Sequence, residues 1–358
     1  MLKIYFDQKI IPPEVNHTVF LNPLLGTIDK DPDVPTYFRF DDYTQYGESF
    51  LTLVNANDAD FFVLPFAWEN TLNNSKVREI AHDYYKLSQK HGKPLIIFFW
   101  SDSFEKIYLK NTFIFRTSFY KSEQDQNEFS MPAWSEDFIK IYNNGKIINR
   151  KKRDRPIVGF CGKVVSKEKK YNKLIELGRK LSNYSFFNII IISTGLKLFN
   201  HEGHRLRYNA VNKLSQSKYI NDNFLIRSEF FGGAGADINL KKLYRAEYVD
   251  NMFNSDYILC IRGAGNFSYR LYETLSCGKI PVIINTDLVL PYDFLIDWKE
   301  FSVWIELNNL RWIDEIIAEH HSSLTDDDFV SLQHKCRKFY EDWISPLGFF
   351  RNLHLHLN

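Results

Sequence analysis

Short, nearly continuous apolar segments recur along the chain and constrain its fold more than any other feature. They cover residues 2–6, 61–64, 95–99, 157–160, 187–192, 257–260 and 280–284. Helical patterns lie between several of them, at residues 77–91, 170–181, 240–253 and 269–277. Apolar runs of this length are typical of parallel strands that are buried on both faces. The alternation of strand and helix therefore predicts an α/β fold.

The domain organisation follows from the length and from one charged segment. A chain of 358 residues is long enough for about two domains. The basic stretch 143–156 ends directly before the strand pattern at residue 157, and we interpret it as an interdomain linker. The sequence predicts an N-terminal domain over residues 1–150 and a C-terminal domain over residues 151–345. A last helix in the second domain begins at a capping box of Thr325 and Asp328.

The overall charge and the cysteines exclude several classes of function. The formal net charge is +1, so no global field attracts the protein to nucleic acid. The four cysteines stand far apart without a C-x-x-C pair, which argues against a zinc knuckle and against a disulfide framework. Because no apolar run reaches about 18 residues and the N-terminus lacks a leader pattern, we expect a cytoplasmic protein.

A glycine-rich loop follows the apolar run 257–260. Gly263 and Gly265 allow backbone N–H groups to approach an anion, and Asn266 or Ser268 can cap the helix that begins near residue 269. The N-terminus of that helix adds a partial positive charge. Arg262, directly after the strand, is a candidate phosphate ligand. This loop predicts a phosphate site at the carboxyl end of a strand.

Two charged residues lie at the start of the same helix. Arg270 and Glu273 are three residues apart and project from one face. Arg270 can hold a diphosphate, and Glu273 can accept hydrogen bonds from ribose hydroxyls. The alternative interpretation is an ordinary ion pair on a helix surface beside glycines that only turn the chain.

The whole segment 257–305 resembles the signature of the exostosin-like glycosyltransferases, family 47 of the inverting glycosyltransferases. Weaker similarity extends to residues 59–65 and 156–162. The matching positions are Ser268, Arg270, Glu273, Cys277, Gly278, 280–284, Leu290, Pro291, Asp297, Trp298 and 301–303.

The resemblance implies a GT-B architecture, in which two Rossmann-like domains face each other across a cleft and the C-terminal one binds a nucleotide sugar. It also implies inversion at the anomeric carbon, and a tail over residues 346–358 that packs back on the N-terminal domain. The signal anchor and second catalytic domain of Golgi exostosins are missing from the sequence, which points toward bacterial polysaccharide enzymes. The acceptor would be a glycan or a lipid-linked oligosaccharide, with transient association at the inner membrane face. No cofactor is expected beyond the sugar donor.

Aspartate pairs need attention because many glycosyltransferases hold a metal with D-x-D. Asp58 and Asp60 precede the strand at 61–64, at the wrong end of a parallel sheet. Asp29, Asp31 and Asp33 lie in a proline-containing loop. We therefore expect a metal-independent enzyme.

Two other motifs have weaker functional interpretations. His201 and His204 do not have the H-E-x-x-H spacing of a metalloprotease helix, and we expect them to be exposed loop histidines. The glycine-rich stretch 228–237 either lines the donor cleft or is a plain loop.

A direct displacement needs a base beside the acceptor hydroxyl. Candidates follow strands of the N-terminal domain, and we rank Asp102 first, Glu69 second and Asp7 third. Nearby aromatic residues either stack on sugar rings or pack in the cores: Trp68, Trp100 and Trp134.

The sequence thus predicts an inverting glycosyltransferase that moves a sugar from a nucleoside-diphosphate donor, with UDP favoured, to a hydroxyl of a cell-surface glycan or lipid-linked acceptor. One alternative is a non-catalytic nucleotide- or glycan-binding protein on the same fold. Another is an enzyme that transfers a phosphorylated group from a nucleotide.

Overall fold

The computed structural model describes residues 1–31, 34–164, 200–227 and 237–357. Its N-terminal half contains a parallel sheet of six strands in the order β2-β1-β3-β4-β5-β6. The strands are β1 (Leu2–Tyr5), β2 (Leu51–Leu53), β3 (Phe61–Val63), β4 (Leu95–Phe99), β5 (Thr112–Arg116) and β6 (Glu128–Ser130). The helices of this half are α1 (Asn22–Leu25), α2 (Asp41–Tyr46), α3 (Ser75–Lys90) and α4 (Phe138–Tyr142).

The C-terminal half contains a second parallel sheet, with its five described strands in the order β11-β10-β9-β7-β8. They are β7 (Ile157–Lys163), β8 (Asn221–Arg227), β9 (Tyr257–Cys260), β10 (Ile280–Asn285) and β11 (Val303–Glu306). The helices are α5 (Asn200–Ser215), α6 (Ile238–Phe253), α7 (Tyr269–Ser276), α8 (Ile313–Ser323), α9 (Asp326–Phe339) and α10 (Pro346–Asn352). The predicted helix 170–181 and strand 187–192 lie outside the described residues.

Two parallel sheets flanked by helices confirm the predicted α/β class and the GT-B arrangement of two Rossmann-like domains. The physical reason is visible in the strands, because β4 and β9 are buried along their whole length. A strand that is buried on both faces must be apolar throughout, so its sequence shows a continuous run.

The chain passes from the first core to the second earlier than the predicted linker. Met131 and Trp134 pack in the N-terminal core, whereas Phe138 and Ile139 of α4 already pack in the C-terminal core. The basic stretch that follows is attached to the second domain, because Arg150 lies 2.6 Å from the buried Asp256 carboxylate. This segment is therefore part of a domain surface and not a free linker.

The end of the chain returns to the N-terminal domain. Helix α9 begins at the predicted capping box and ends at Phe339, where a wide helical turn over Tyr340–Ile344 redirects the chain. Phe349 and Phe350 of α10 are buried in the N-terminal core. Helix α10 therefore makes a second connection between the two domains, in addition to the one at α4.

Candidate functional site

The candidate site is built around the glycine loop that joins β9 to α7. The Gly263 amide donates to the Phe267 carbonyl at 3.2 Å, which closes the loop on itself. Ser268 occupies the N-cap position of α7 with an extended backbone. The loop lies at the carboxyl end of the central strands, the place where open α/β sheets bind ligands.

Three arginines surround this loop. Arg262 is 3% exposed and donates from Nη1 to the Tyr120 hydroxyl at 2.8 Å. Arg270 donates from Nη2 to the Cys161 carbonyl at 2.7 Å, at the end of β7, and its guanidinium lies 4.5 Å from the centre of the Phe160 ring. Arg207 reaches the same place from α5. Three cations therefore meet at one loop in the second domain.

Helix α5 approaches the glycine loop very closely. A Cβ atom at Gly203 would lie 2.6 Å from the Gly263 carbonyl oxygen and 2.8 Å from that of Arg262, so only glycine permits this contact. The expectation that His201 and His204 lie in an exposed loop was wrong, since both are in the first turn of α5 and His204 is half-buried. The described residues contain no group of three side chains that could hold a metal ion.

Sequence reasoning missed Arg207. Its Nη2 donates to the Arg262 carbonyl at 3.1 Å, and the residue is only 8% exposed. Burial, and next the nearby charge of Arg270, lower the pKa of Arg207 to about 10. The sequence does contain a signal for this contact, because Gly203 and Arg207 are four residues apart and so share one helix face.

Glu273 lies beneath the loop in a buried network. It is 6% exposed, accepts a hydrogen bond from the Tyr248 hydroxyl and lies 3.9 Å from Nη1 of Arg245. Burial, and next the Glu273 charge, raise the pKa of Tyr248 far above its usual range, so the phenol remains a donor. Arg270 lies 5.7 Å from the centre of the same Tyr248 ring, so both residues belong to one buried network, unlike a simple ion pair on a helix surface.

The N-terminal domain covers the glycine loop. The Asp102 carboxylate accepts a hydrogen bond from the Gly265 amide at 3.1 Å, and a Cβ atom at Gly265 would lie 2.7 Å from that oxygen. The Asn266 amide donates to the Ser118 hydroxyl at 2.9 Å. The Asn266 side chain donates to the Phe119 carbonyl at 3.1 Å and accepts from the Thr286 hydroxyl at 2.7 Å. Asn266 was expected to cap α7 or bind the donor, and its side chain is instead committed to contacts that join the domains.

Glu69 lies in the segment that follows β3 and is linked to this interface through Trp100. Its Oε2 accepts a hydrogen bond from the Trp100 amide at 2.9 Å, and burial raises the pKa of Glu69 to about 7. The Trp100 indole donates to the Tyr269 hydroxyl at 3.2 Å, which links this region to the first residue of α7. A carboxylate with a pKa near neutrality is suited to accepting a proton at physiological pH.

The remaining candidates have structural partners. Asp7 caps a short helical turn by accepting from the Lys9 amide at 2.9 Å. Trp68 and Trp134 are buried in cores, whereas Trp100 is half-buried at the interface.

In the two D-x-D stretches, Asp29 and Asp60 contact residues outside the glycine loop. Asp58 and Asp60 precede β3, and the Asp60 amide donates to the Lys3 carbonyl at 2.8 Å. Asp29 pairs with Arg39 at 2.8 Å. Asp33 and most of the stretch 228–237 lie outside the described residues. All four cysteines are buried and free.

Within the described part of the chain, no helix is both long and apolar enough to cross a membrane.

Comparison with known proteins finds a family match within the second domain. Residues 197–319 match the Exostosin GT47 domain. A probable glucuronosyltransferase of Oryza sativa subsp. japonica is 35% identical over 88 residues, which is 25% of this chain and 19% of that protein. Exostosin-1 of Drosophila melanogaster is 34% identical over 73 residues, 20% of this chain and 10% of that protein. A probable beta-1,4-xylosyltransferase of Arabidopsis thaliana is 34% identical over 71 residues, 20% of this chain and 17% of that protein.

The matched regions span at most about a fifth of these relatives' own length. Among solved structures, the crystal structure of TarM aligns with 74% of this chain and 55% of its own, with a TM-score of 0.30 and 12% identity. The family match at residues 197–319 lies in the domain that carries the glycine loop.

Proposed function

We propose that this chain, whose second domain is an exostosin-like GT47 domain, is an inverting, metal-independent glycosyltransferase. It would move a sugar from a nucleoside-diphosphate donor, with UDP favoured, to a hydroxyl of a glycan or lipid-linked acceptor. The observation that carries the proposal is the position of Arg262 and Arg270 on either side of one glycine loop. The names of the relatives, which include glucuronosyl- and xylosyltransferases, support glycosyl transfer.

The electrostatics of the loop favour a polyvalent anion. Guanidinium groups lose hydration when they are buried, and neighbouring like charges add to that cost. A diphosphate would satisfy these cations, and arginine binds phosphate oxygens through two parallel hydrogen bonds. The same groups would stabilise the charge that grows on the departing diphosphate, which is the task a metal performs in other enzymes.

The other parts of the reaction have candidate residues nearby. We assign Glu273 to the ribose hydroxyls and Ser268 to the phosphates, on the basis of their positions at the start of α7. Each candidate base accepts one backbone hydrogen bond, and we place Glu69 before Asp102 on the ground of its pKa. The raised pKa of Glu69 gives it greater basicity than an ordinary carboxylate.

The proposal is tested by thermal unfolding in the presence of UDP, GDP, CMP and TDP sugars, each with and without EDTA. A ligand at about 100 times its Kd stabilises the folded state by about 2.7 kcal/mol. We expect one nucleotide class to raise the unfolding midpoint, and we expect EDTA to leave that increase unchanged. No shift with any donor would contradict the donor site, and a shift that EDTA removes and Mg²⁺ or Mn²⁺ restores would contradict metal independence.

A further inference from the structure

The start of α5 packs against the glycine loop and is not used by the donor contacts assigned above. We propose that Arg207 is a third arginine of the diphosphate site, which positions the glycine loop and adds its charge to the bound phosphates. This inference rests on the proposed function, since it concerns how the donor's diphosphate is recognised.

The first support is geometric. Arg207 donates to the carbonyl of Arg262, the residue with which the chain leaves the central strand region and enters the loop. The absence of a side chain at Gly203, one turn earlier on the same helix face, lets α5 approach the Arg262 and Gly263 carbonyls. This glycine and this arginine together determine the direction in which the loop leaves the sheet. The amides of Gly263, Gly265 and Asn266 already donate within the protein, so the arginine side chains around the loop are the groups that would meet an anion.

The second support is the charge pattern. Arg207 is buried against the loop, where its Nη2 would lie 3.7 Å from a Cβ atom at Gly263, and the charge of Arg270 contributes to the lowering of its pKa. Glu202, on the same turn as Gly203, lies 3.7 Å from Arg262 and has a side chain that is 42% exposed. A diphosphate bound beside the loop would be attracted by the guanidinium groups of both Arg207 and Arg270.

The experiment compares binding of UDP with binding of uridine in titrations of the full chain. GDP and guanosine, CDP and cytidine, or TDP and thymidine replace them if the thermal screen selects another base. Arg207→Met keeps much of the side-chain volume and removes the charge, while Arg207→Lys keeps the charge without the planar fork. Arg205→Met, two residues away on the same helix, is the matched control.

We expect Arg207→Met to raise the Kd for UDP about 10-fold or more, as expected for a lost charged hydrogen bond, and to change the Kd for uridine less than about 2-fold. Arg207→Lys should fall between Arg207→Met and the wild type. Arg205→Met should bind both ligands like the wild type. A purely structural role predicts that UDP and uridine lose affinity in parallel, because both contact the same loop, and that result would overturn the inference.

Arg207→Gln keeps the experiment decisive if Arg207→Met does not fold. This substitution removes the charge, keeps an N–H donor for the Arg262 carbonyl, and should also weaken UDP more than uridine. Unchanged UDP binding in the folded Arg207 variants would overturn this inference without contradicting the proposed function. A wild-type protein that binds none of the nucleoside diphosphates would instead contradict the proposed function, and the inference with it.

Discussion

Replacement of Arg270 by methionine is expected to lower kcat about 100-fold or more, with a much smaller change in the donor KM. In the proposed reaction the Arg270 guanidinium would face the position where negative charge grows as the bond between sugar and phosphate breaks. Loss of one preorganised donor to such a charge typically costs a factor of about 100 to 1,000 in rate. Methionine retains the packing against the Phe160 ring, so the folded structure should survive.

Glu273→Gln is the partner variant for this measurement. The ribose contact assigned to Glu273 is the same before and during the reaction, so its loss should chiefly raise the donor KM, by about 1.5–3 kcal/mol in binding free energy. Glutamine can still accept the hydrogen bond from Tyr248. Steady-state kinetics on both folded variants separates the two roles, and unchanged kcat/KM in both would show that this helix start is only part of the scaffold.

Glu69→Gln is expected to lower kcat by a factor of about 100 to 10,000, the usual contribution of a general base. A base must be ionised to accept a proton. Because the pKa of Glu69 is raised to about 7, the wild-type kcat should fall as the pH decreases through about 7. The glutamine variant should lose this dependence, which a pH profile of kcat measures.

The stability of the same variant provides a control for folding. Burial raises the pKa of Glu69 from 4.5 to about 7, so the folded state holds this proton more tightly than the unfolded state does. The contribution of Glu69 to stability therefore decreases as the pH rises from about 4.5 to about 7. At pH 8 the unfolding midpoint of Glu69→Gln should equal or exceed that of the wild type.

Asp102→Asn distinguishes the two candidate bases. An asparagine carbonyl can still accept the Gly265 amide, so the contact between the domains is retained. If Glu69 is the base, this variant should keep kcat within about 10-fold of the wild type. The reverse pattern, a collapse of kcat in Asp102→Asn with an active Glu69→Gln, would restore Asp102 to the first rank that the sequence favoured.

Local patterns made much of the second domain predictable. The predicted bounds of strand β9 and helix α7 differ from the observed bounds by at most one residue. Both elements were predictable because a buried apolar run and a helix end depend on residues that are neighbours in sequence. Gly278, which follows α7, has a φ of +64°, the left-handed conformation that a glycine at a helix end indicates. The phosphate-site hypothesis arose from the same segment.

Contacts between distant parts of the chain were not predictable in the same way. Strand β5 was not predicted, and the residues after it include Ser118, which accepts from the Asn266 amide 148 residues later. The role of Asn266 at the domain contact could not be inferred without that strand. Arg207 was missed for a similar reason, because its relation to the glycine loop depends on how α5 packs on the sheet.

The passage of the chain between the two cores also depends on tertiary structure. The basic stretch 143–156 has the composition of a linker, but the crossing occurs at residues 131–139, where apolar residues alternate between the two cores. Amino-acid composition indicates which residues are exposed to solvent, but it does not indicate in which domain a buried residue packs. The return of α10 to the first domain was expected only from the family resemblance and from the apolar character of the tail.

The most direct test of the central claim is product analysis after incubation with the donor that gives the largest thermal shift. Many sugar transferases release the nucleoside diphosphate slowly in the absence of an acceptor, with water in its place. We predict free nucleoside diphosphate and a phosphorus-free sugar of inverted anomeric configuration, formed by the wild type and greatly reduced in Arg270→Met. Donor binding without any release of nucleoside diphosphate would indicate a binding protein, and phosphorus in the transferred group would indicate a different reaction; either result would contradict the account.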